Sequence, residues 1–240
     1  MTDETIVPTI GILGGTGALG GGLALRWAAT GLPVIIGSRD GSKAGDAAAF
    51  IQRKLREEGS VAGASLEDCA ERADVVVVAV PWDAHAVTLE QVRSATTGKV
   101  VIDVVNPLAF DKGGAYAPQV EDGSAAQQAQ RLLPESHVVA AFHHVSAVLL
   151  ADLAIPSVDT DVMILGDDAE SVKQVQELVS RIPGMRGIFA GKLRTAAAVE
   201  GLTANLIAIN RRYKTHAGVG LTNVPLSNPS ASSAPEVQTV

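Results

Sequence analysis

The residues with the clearest chemical purpose stand near the start of the chain. The segment Gly14-Gly15-Thr16-Gly17-Ala18-Leu19-Gly20 contains G-x-G-x-x-G as Gly15, Gly17 and Gly20. An apolar run, Thr9 to Leu13, precedes it, and a segment of helical composition, Ala18 to Ala29, follows it. Between a strand and a helix this spacing is a phosphate-binding loop. Gly15 is expected to permit the tight turn, Gly17 to let the backbone approach a pyrophosphate, and Gly20 to let helix and strand pack closely. The helix N-terminus adds unpaired N–H groups and the positive end of a dipole.

The next strand, Val34 to Ile36, runs into Gly37-Ser38-Arg39. A dinucleotide with a free ribose 2′-hydroxyl calls for an acidic residue at this place. A hydroxyl and a guanidinium suit a 2′-phosphate instead, and Lys43 can add a third contact. Asp40 is expected to point away. The expected cofactor is therefore NADP(H). Two further strand ends, Val80-Pro81-Trp82 and Val105-Asn106-Pro107, fall where open α/β sheets bind ligands. Pro81 and Pro107 are expected to stiffen loops under the nicotinamide and ribose, or to serve only as turn residues.

Other chemistries lack their residues. There are no paired carboxylates, no Cys/His spacing for a metal and no Ser–His–Asp context. Cys69, the single cysteine, cannot form an internal disulfide and reads as a buried apolar residue in a reducing compartment. The net charge of −7 disfavours nucleic acid, whose phosphates need a basic footprint. No apolar run reaches the ~20 residues of a membrane span, and the first eight residues do not resemble a signal peptide. A cytoplasmic protein is expected.

The elements that must position these residues follow from periodicity. Strands are predicted at Val75 to Val80, Lys99 to Val105 and Val138 to Phe142, and helices at Ser42 to Glu57, Ser65 to Arg72 and Asp83 to Ser94. Four consecutive valines suit a strand buried on both faces. Strand–helix alternation implies an α/β Rossmann fold with a doubly wound parallel sheet over residues 1–145. Leu108 to Ser124, rich in Gly, Pro and Asp, reads as a loop. Residues 146–225 are expected to form a smaller, mainly helical C-terminal domain. It would hold a strand at Val162 to Leu165, a helix at Ala169 to Arg181, a short strand at Gly187 to Phe189 and a long apolar helix at Thr195 to Tyr213. That last helix suits either a subunit interface or an internal core. Residues 226–240, dominated by Ser, Pro and Asn, read as a disordered tail.

The set GGTGALG, IGSR, VPW and AFHHVSA, with VEGLT further on, resembles the F420H2:NADP+ oxidoreductase family over nearly the whole chain except the tail. The resemblance implies a homodimer that passes a hydride directly between NADP(H) and the deazaflavin coenzyme F420. It implies that Thr16, Ser38, Arg39 and Lys43 hold the 2′-phosphate and that Gly17, Ala18 and Leu19 meet the pyrophosphate. Val80, Trp82, Asn106, Val145 and Ala147 would line the path to the nicotinamide. The deazaflavin would lie near His143 and Pro107, with Leu221 closing the pocket. His144 and Ser146 depart from the archaeal form of the pattern, and Asn106 replaces an apolar residue there. His143 can equally be a strand-end histidine satisfied by backbone. Between Arg181 and Lys214 stand seven basic residues (Arg181, Arg186, Lys192, Arg194, Arg211, Arg212 and Lys214) and one acid, Glu200. Such a patch could attract the anionic deazaflavin tail or be a solvated helix face. Two other readings stay open: an NADP-dependent reductase of a small imine or keto substrate, and a non-catalytic NADP redox sensor.

Overall fold

The computed structural model describes residues 7–55 and 59–225. The expected tail, 226–240, and the end of the helix predicted to reach Glu57 lie outside the described residues. The first half alternates strands and helices: β1 (Ile10–Leu13), α1 (Ala18–Ala29), β2 (Val34–Gly37), α2 (Gly41–Lys54), β3 (Val61–Ala64), α3 (Leu66–Arg72), β4 (Val75–Val78), α4 (Trp82–Val92) and β5 (Val100–Asp103). After them come the hairpin β6 (Ala109–Asp111) and β7 (Gly114–Tyr116), then α5 (Ala125–Leu132), β8 (His137–Ala140) and α6 (Ala147–Leu150). The chain continues through β9 (Thr160–Gly166), α7 (Ala169–Ser180), β10 (Met185–Gly191) and α8 (Ala196–Tyr213).

Eight strands form one sheet in the order β10-β9-β8-β5-β4-β1-β2-β3. Every pairing is parallel except β8 with β9. The chain order reverses between β1 and β4, which opens a crevice at the carboxyl ends of those strands. The four valines of β4 are fully buried, as a strand covered on both faces requires. Helices α1, α2, α6 and α7 pack on one face. Helices α3, α4, α5 and α8 pack on the other, where Cys69 is fully buried and its thiol is pushed up to about 12 by burial. Among the described residues, no helix is long and apolar enough to cross a membrane.

β9 and β10 extend the same sheet, so residues 146–225 share its core: Val162 and Ile164 belong to one cluster with Ile10 and Ile12. The strand expected at Gly187 to Phe189 runs from Met185 to Gly191. The stretch from Leu108 to Ser124 is not wholly a loop, because it contains the hairpin β6–β7. Its turn is built by Asp111, whose Oδ1 accepts from the N–H groups of Gly113 (2.7 Å) and Gly114 (3.2 Å). Three-residue strands fall below any periodicity signal, which is why they escaped it. Strand β3 and helix α5 were also unforeseen. The helix α8 is not an internal core helix. It buries Ala196, Val199, Glu200 and Leu206 and exposes much of its other side.

Candidate nucleotide cleft

The crevice at the switch point is a cleft of about 490 Å³. Of the residues singled out in the sequence, Thr16, Gly17, Leu19, Ser38, Arg39, Val80, Pro81, Trp82 and Asn106 line it. They come from the β1–α1 loop, the end of β2, the β4–α4 turn and the end of β5. Gly14 of the same loop and Val105 of the β5 strand end also line it, and Leu66, Ala79, Ala84, Thr88 and Val104 complete the wall without a sequence signal.

The glycines divide by what the fold demands of them. The left-handed turn falls on Gly14 (φ +84°), where a Cβ would stand 2.6 Å from the Ala79 carbonyl oxygen; this corrects the role expected of Gly15. Gly15 is buried, and a Cβ there would press on Ile36 at 3.0 Å. At Gly20 a Cβ would come within 2.9 Å of the Gly14 carbonyl oxygen, so this glycine serves helix–loop packing. Gly17 is different. Its backbone is extended (φ −79°, ψ 169°), and a Cβ would meet nothing closer than the Gly14 oxygen at 3.3 Å. Of the loop glycines other than the turn residue, Gly17 is the one whose added Cβ would meet the fewest protein atoms, and it is exposed. Gly17 is also the N-cap of α1, and no side chain caps that end. The first N–H groups of the helix, from exposed Ala18 and half-buried Leu19, face no protein cap.

At the end of β2, Arg39 is exposed and Ser38 half-buried. Asp40 turns its carboxylate into α2, where Oδ1 accepts from Ser42 N (3.0 Å), Ser42 Oγ (2.6 Å) and Lys43 N (3.4 Å). These bonds hold its carboxyl below the usual carboxylate range. The cap removes the one nearby acid from the cleft. Lys43 does not line the cleft; its exposed ammonium lies 3.9 Å from Asp40.

At the opposite end Asn106 donates from Nδ2 to the His143 carbonyl (2.8 Å). That carbonyl can only accept, so the amide orientation is settled. Among the described residues Asn106 Oδ1 is left buried with no hydrogen-bond partner, on a residue of the cleft wall. Thr203 Oγ1, from α8, donates to the same carbonyl (2.7 Å).

Pro107, His143 and Val145 are buried behind the wall. Ala147 begins α6, which packs closely on α1 at Gly22. Leu221 is bound elsewhere: its N–H donates to Asp161 Oδ2 (2.5 Å) and its carbonyl accepts from Arg186 Nη2 (3.1 Å). His143 follows Phe142, a buried residue in the left-handed region (φ 61°) held edge-on against Trp27 at 5.6 Å. Such a backbone costs on the order of 1–3 kcal/mol and persists only where its surroundings enforce it. Burial lowers the His143 pKa to about 4, against the opposing pull of Asp103. The ring is therefore neutral near pH 7. Neither ring nitrogen makes a hydrogen bond of good geometry among the described residues, although the Val105 carbonyl is close enough to favour the protonated form.

The basic segment does not form one patch. Arg186 pairs with Asp161, Lys192 donates to the Asp167 carbonyl (2.9 Å), and Arg211 and Arg212 flank a separate cavity beside the β6–β7 hairpin.

The most consequential feature that sequence reasoning missed is a buried polar cluster next to the cleft. His85 and Asp103 are both fully buried, and His85 Nε2 stands 2.6 Å from Asp103 Oδ2. Glu200 of α8 accepts from the N–H groups of Ala125 (2.9 Å) and Ala126 (3.1 Å), at the start of α5. Burial pushes its carboxyl up to about 7. Two local hints existed. His85 follows Trp82 by one helical turn, and Asp103 is the only charge in the run from Val100 to Val105.

Comparison with known proteins agrees with this geometry. Residues 9–107 match the family model described as NADP oxidoreductase, coenzyme F420-dependent. The chain is 40% identical over 228 residues to an F420-dependent NADP reductase of Methanothermobacter thermautotrophicus, which covers 92% of this chain and 98% of that protein. It is 37% identical over 223 residues to the F420-dependent NADP reductase of Methanocaldococcus jannaschii, covering 90% and 99%. The solved structure of a candidate F420-dependent NADP-reductase from Arthrobacter sp. FB24 superposes with a TM-score of 0.72 at 30% identity, covering 86% of this chain and 95% of that one.

Proposed function

This chain belongs to the family of coenzyme F420-dependent NADP oxidoreductases, and we propose that it passes a hydride directly between NADP(H) and the deazaflavin F420. The observation that carries the reading is the exposed Gly17 at the uncapped N-terminus of α1, lining the cleft. It lies in one cleft with Ser38, Arg39 and an unpartnered Asn106 oxygen.

The residues present fit NADP(H). Thr16, Gly17, Ala18 and Leu19 would hold the pyrophosphate on the α1 N-terminus, over Gly15. Ser38 and Arg39 would bind the 2′-phosphate, with Lys43 adding charge from the first turn of α2. Val80, Pro81 and Trp82 would flank the ribose and nicotinamide, and Asn106 Oδ1 would accept from the carboxamide. Val145 and Ala147 would back the path to the nicotinamide, and the deazaflavin would lie over it near Pro107, His143 and Thr203; Leu221, held by Asp161 and Arg186, would need to move to close that pocket. When both are bound, the two cofactors supply the chemistry: a hydride moves from the reduced nicotinamide to the deazaflavin with uptake of a proton, or back. The protein's part is to align the rings and exclude water. A neutral His143 leaves a hydrogen-bonding ring at the back of the site without placing a charge there.

A homodimer in the cytoplasm is part of this proposal. Phe110 and Tyr116 of the hairpin and Ile209 and Tyr213 of α8 are exposed together on elements that pack against each other, an apolar surface suited to a second copy. Sedimentation should show a dimer that Phe110→Asp shifts toward monomer; an unshifted dimer would place the interface elsewhere. The activity itself is tested by mixing the protein with NADPH and oxidised F420. Loss of the deazaflavin band near ~420 nm, much slower with NADH, is the expected outcome.

A further inference from the structure

The buried pair His85–Asp103 has no part in binding the phosphates, yet it joins two walls of the cleft. His85 lies one turn after Trp82 on α4, with the two rings 5.4 Å apart and tilted by 34°. Asp103 closes β5, and its second oxygen, Oδ1, accepts from Val105 N at 3.0 Å, shaping the turn through Val104, Val105 and Asn106. Trp82, Val104, Val105 and Asn106 all line the cleft.

The protonation of the pair follows from its neighbours. Gln128 Nε2 donates to Asp122 Oδ2 (3.2 Å), and a carboxylate only accepts, so Gln128 must turn Oε1 toward His85 Nδ1 (2.9 Å). Asp103 faces the other nitrogen. With Asp103 as the carboxylate both ring nitrogens of His85 face acceptors, an arrangement that favours the doubly protonated ring. Burial opposes that charge, but Asp103, Gln128 and the more distant Glu200 raise the proton affinity of the ring above its ordinary value. His143, also near Asp103, stays neutral. A buried ion pair adds little stability over well-packed apolar residues. Its use is therefore sought in what it holds in place.

We propose that His85 and Asp103 are positioning residues, a latch that fixes Trp82 and the Val104–Asn106 turn where the nicotinamide end of the dinucleotide lies. This rests on reading the cleft as the NADP(H) site. Releasing the latch should loosen the nicotinamide end and leave the adenosine end, set by Ser38 and Arg39, as it was.

The test uses the full chain, with His85→Gln and Asp103→Asn as separate variants, and two probes titrated by calorimetry. NADPH spans the whole cleft; adenosine 2′,5′-bisphosphate occupies only the adenosine end. The latch predicts that Kd for NADPH rises about tenfold in each folded variant while Kd for the bisphosphate stays within about twofold. Unchanged bisphosphate binding also certifies the fold, and either variant suffices if the other does not fold. Equal weakening of both probes marks the pair as merely structural and overturns the latch, as does no change in either. An unmutated protein that binds neither probe would instead overturn the reading of the cleft.

Discussion

Gly17→Val is expected to remove NADPH binding while leaving the protein almost as stable as before. At Gly17 the backbone is extended and a Cβ meets only one protein atom within 4 Å, the Gly14 oxygen at 3.3 Å. To admit a side chain the Gly14 carbonyl must give by a few tenths of an ångström, and together with the poorer N-cap this is expected to cost on the order of 1 kcal/mol. In a protein of this size that lowers Tm by roughly 2–4 °C. The same side chain stands where the pyrophosphate must approach the loop and the α1 N-terminus. Kd for NADPH should rise by about 100-fold or more, since the phosphate contacts are lost together. Gly20→Val is the contrasting variant: its Cβ would press on backbone at 2.9 Å, so it should lose stability first. Thermal melts with and without NADPH separate the two. Retained NADPH binding in Gly17→Val would remove the main support for the cleft.

The second large effect concerns the choice between NADPH and NADH. Arg39 is an exposed cleft residue, Asp40 is engaged in capping α2, and among the described residues no acid lines the cleft. Arg39→Ala removes charge-assisted hydrogen bonds and should raise KM for NADPH about 10–100-fold, with little change for the deazaflavin. Ser38→Asp goes further, because it sets a carboxylate against the phosphate and offers an acceptor to a free 2′-hydroxyl. The ratio of kcat/KM for NADPH over NADH should fall by about 100-fold or more, from repulsion and gained NADH contacts together. The check is a steady-state comparison of both nucleotides with each variant. An unchanged ratio in Ser38→Asp would mean that the phosphate is read by other residues.

These two sites were legible in the sequence because each is local. A glycine spacing between a strand and a helix, and a Ser-Arg at the next strand end, carry their geometry within a few residues. Even so, the loop misled in one detail, since turn strain falls on Gly14 and not Gly15: adjacent glycines look alike without φ angles. Lys43 stands at the first turn of α2, where its exposed ammonium lies 3.9 Å from Asp40 and outside the cleft wall, a placement that spacing alone does not give. The buried cluster left only two local traces in the sequence, the Trp82–His85 spacing and the lone charge of Asp103 in its strand. His85 meets Asp103 and Gln128 at separations of 18 and 43 residues, and Glu200 meets Ala125 at 75. Such pairings arise only when β5, α4, α5 and α8 come together on one face of the sheet. Glu200 lay inside a segment read for its positive charge, so its burial was invisible to a count of charges. Likewise the segment's basic residues, close in sequence, are spread by the fold over ion pairs and separate surfaces.

The central claim is that a hydride passes directly from one bound cofactor to the other, with no side chain carrying it. Its most direct test is a single turnover with NADPH dideuterated at C4 and oxidised F420 in ordinary water, followed by mass measurement of the reduced deazaflavin. Direct transfer predicts one deuterium retained in the reduced deazaflavin, with bleaching near ~420 nm. Reduced deazaflavin carrying only hydrogen from water, or no reduction although NADPH binds, would contradict it.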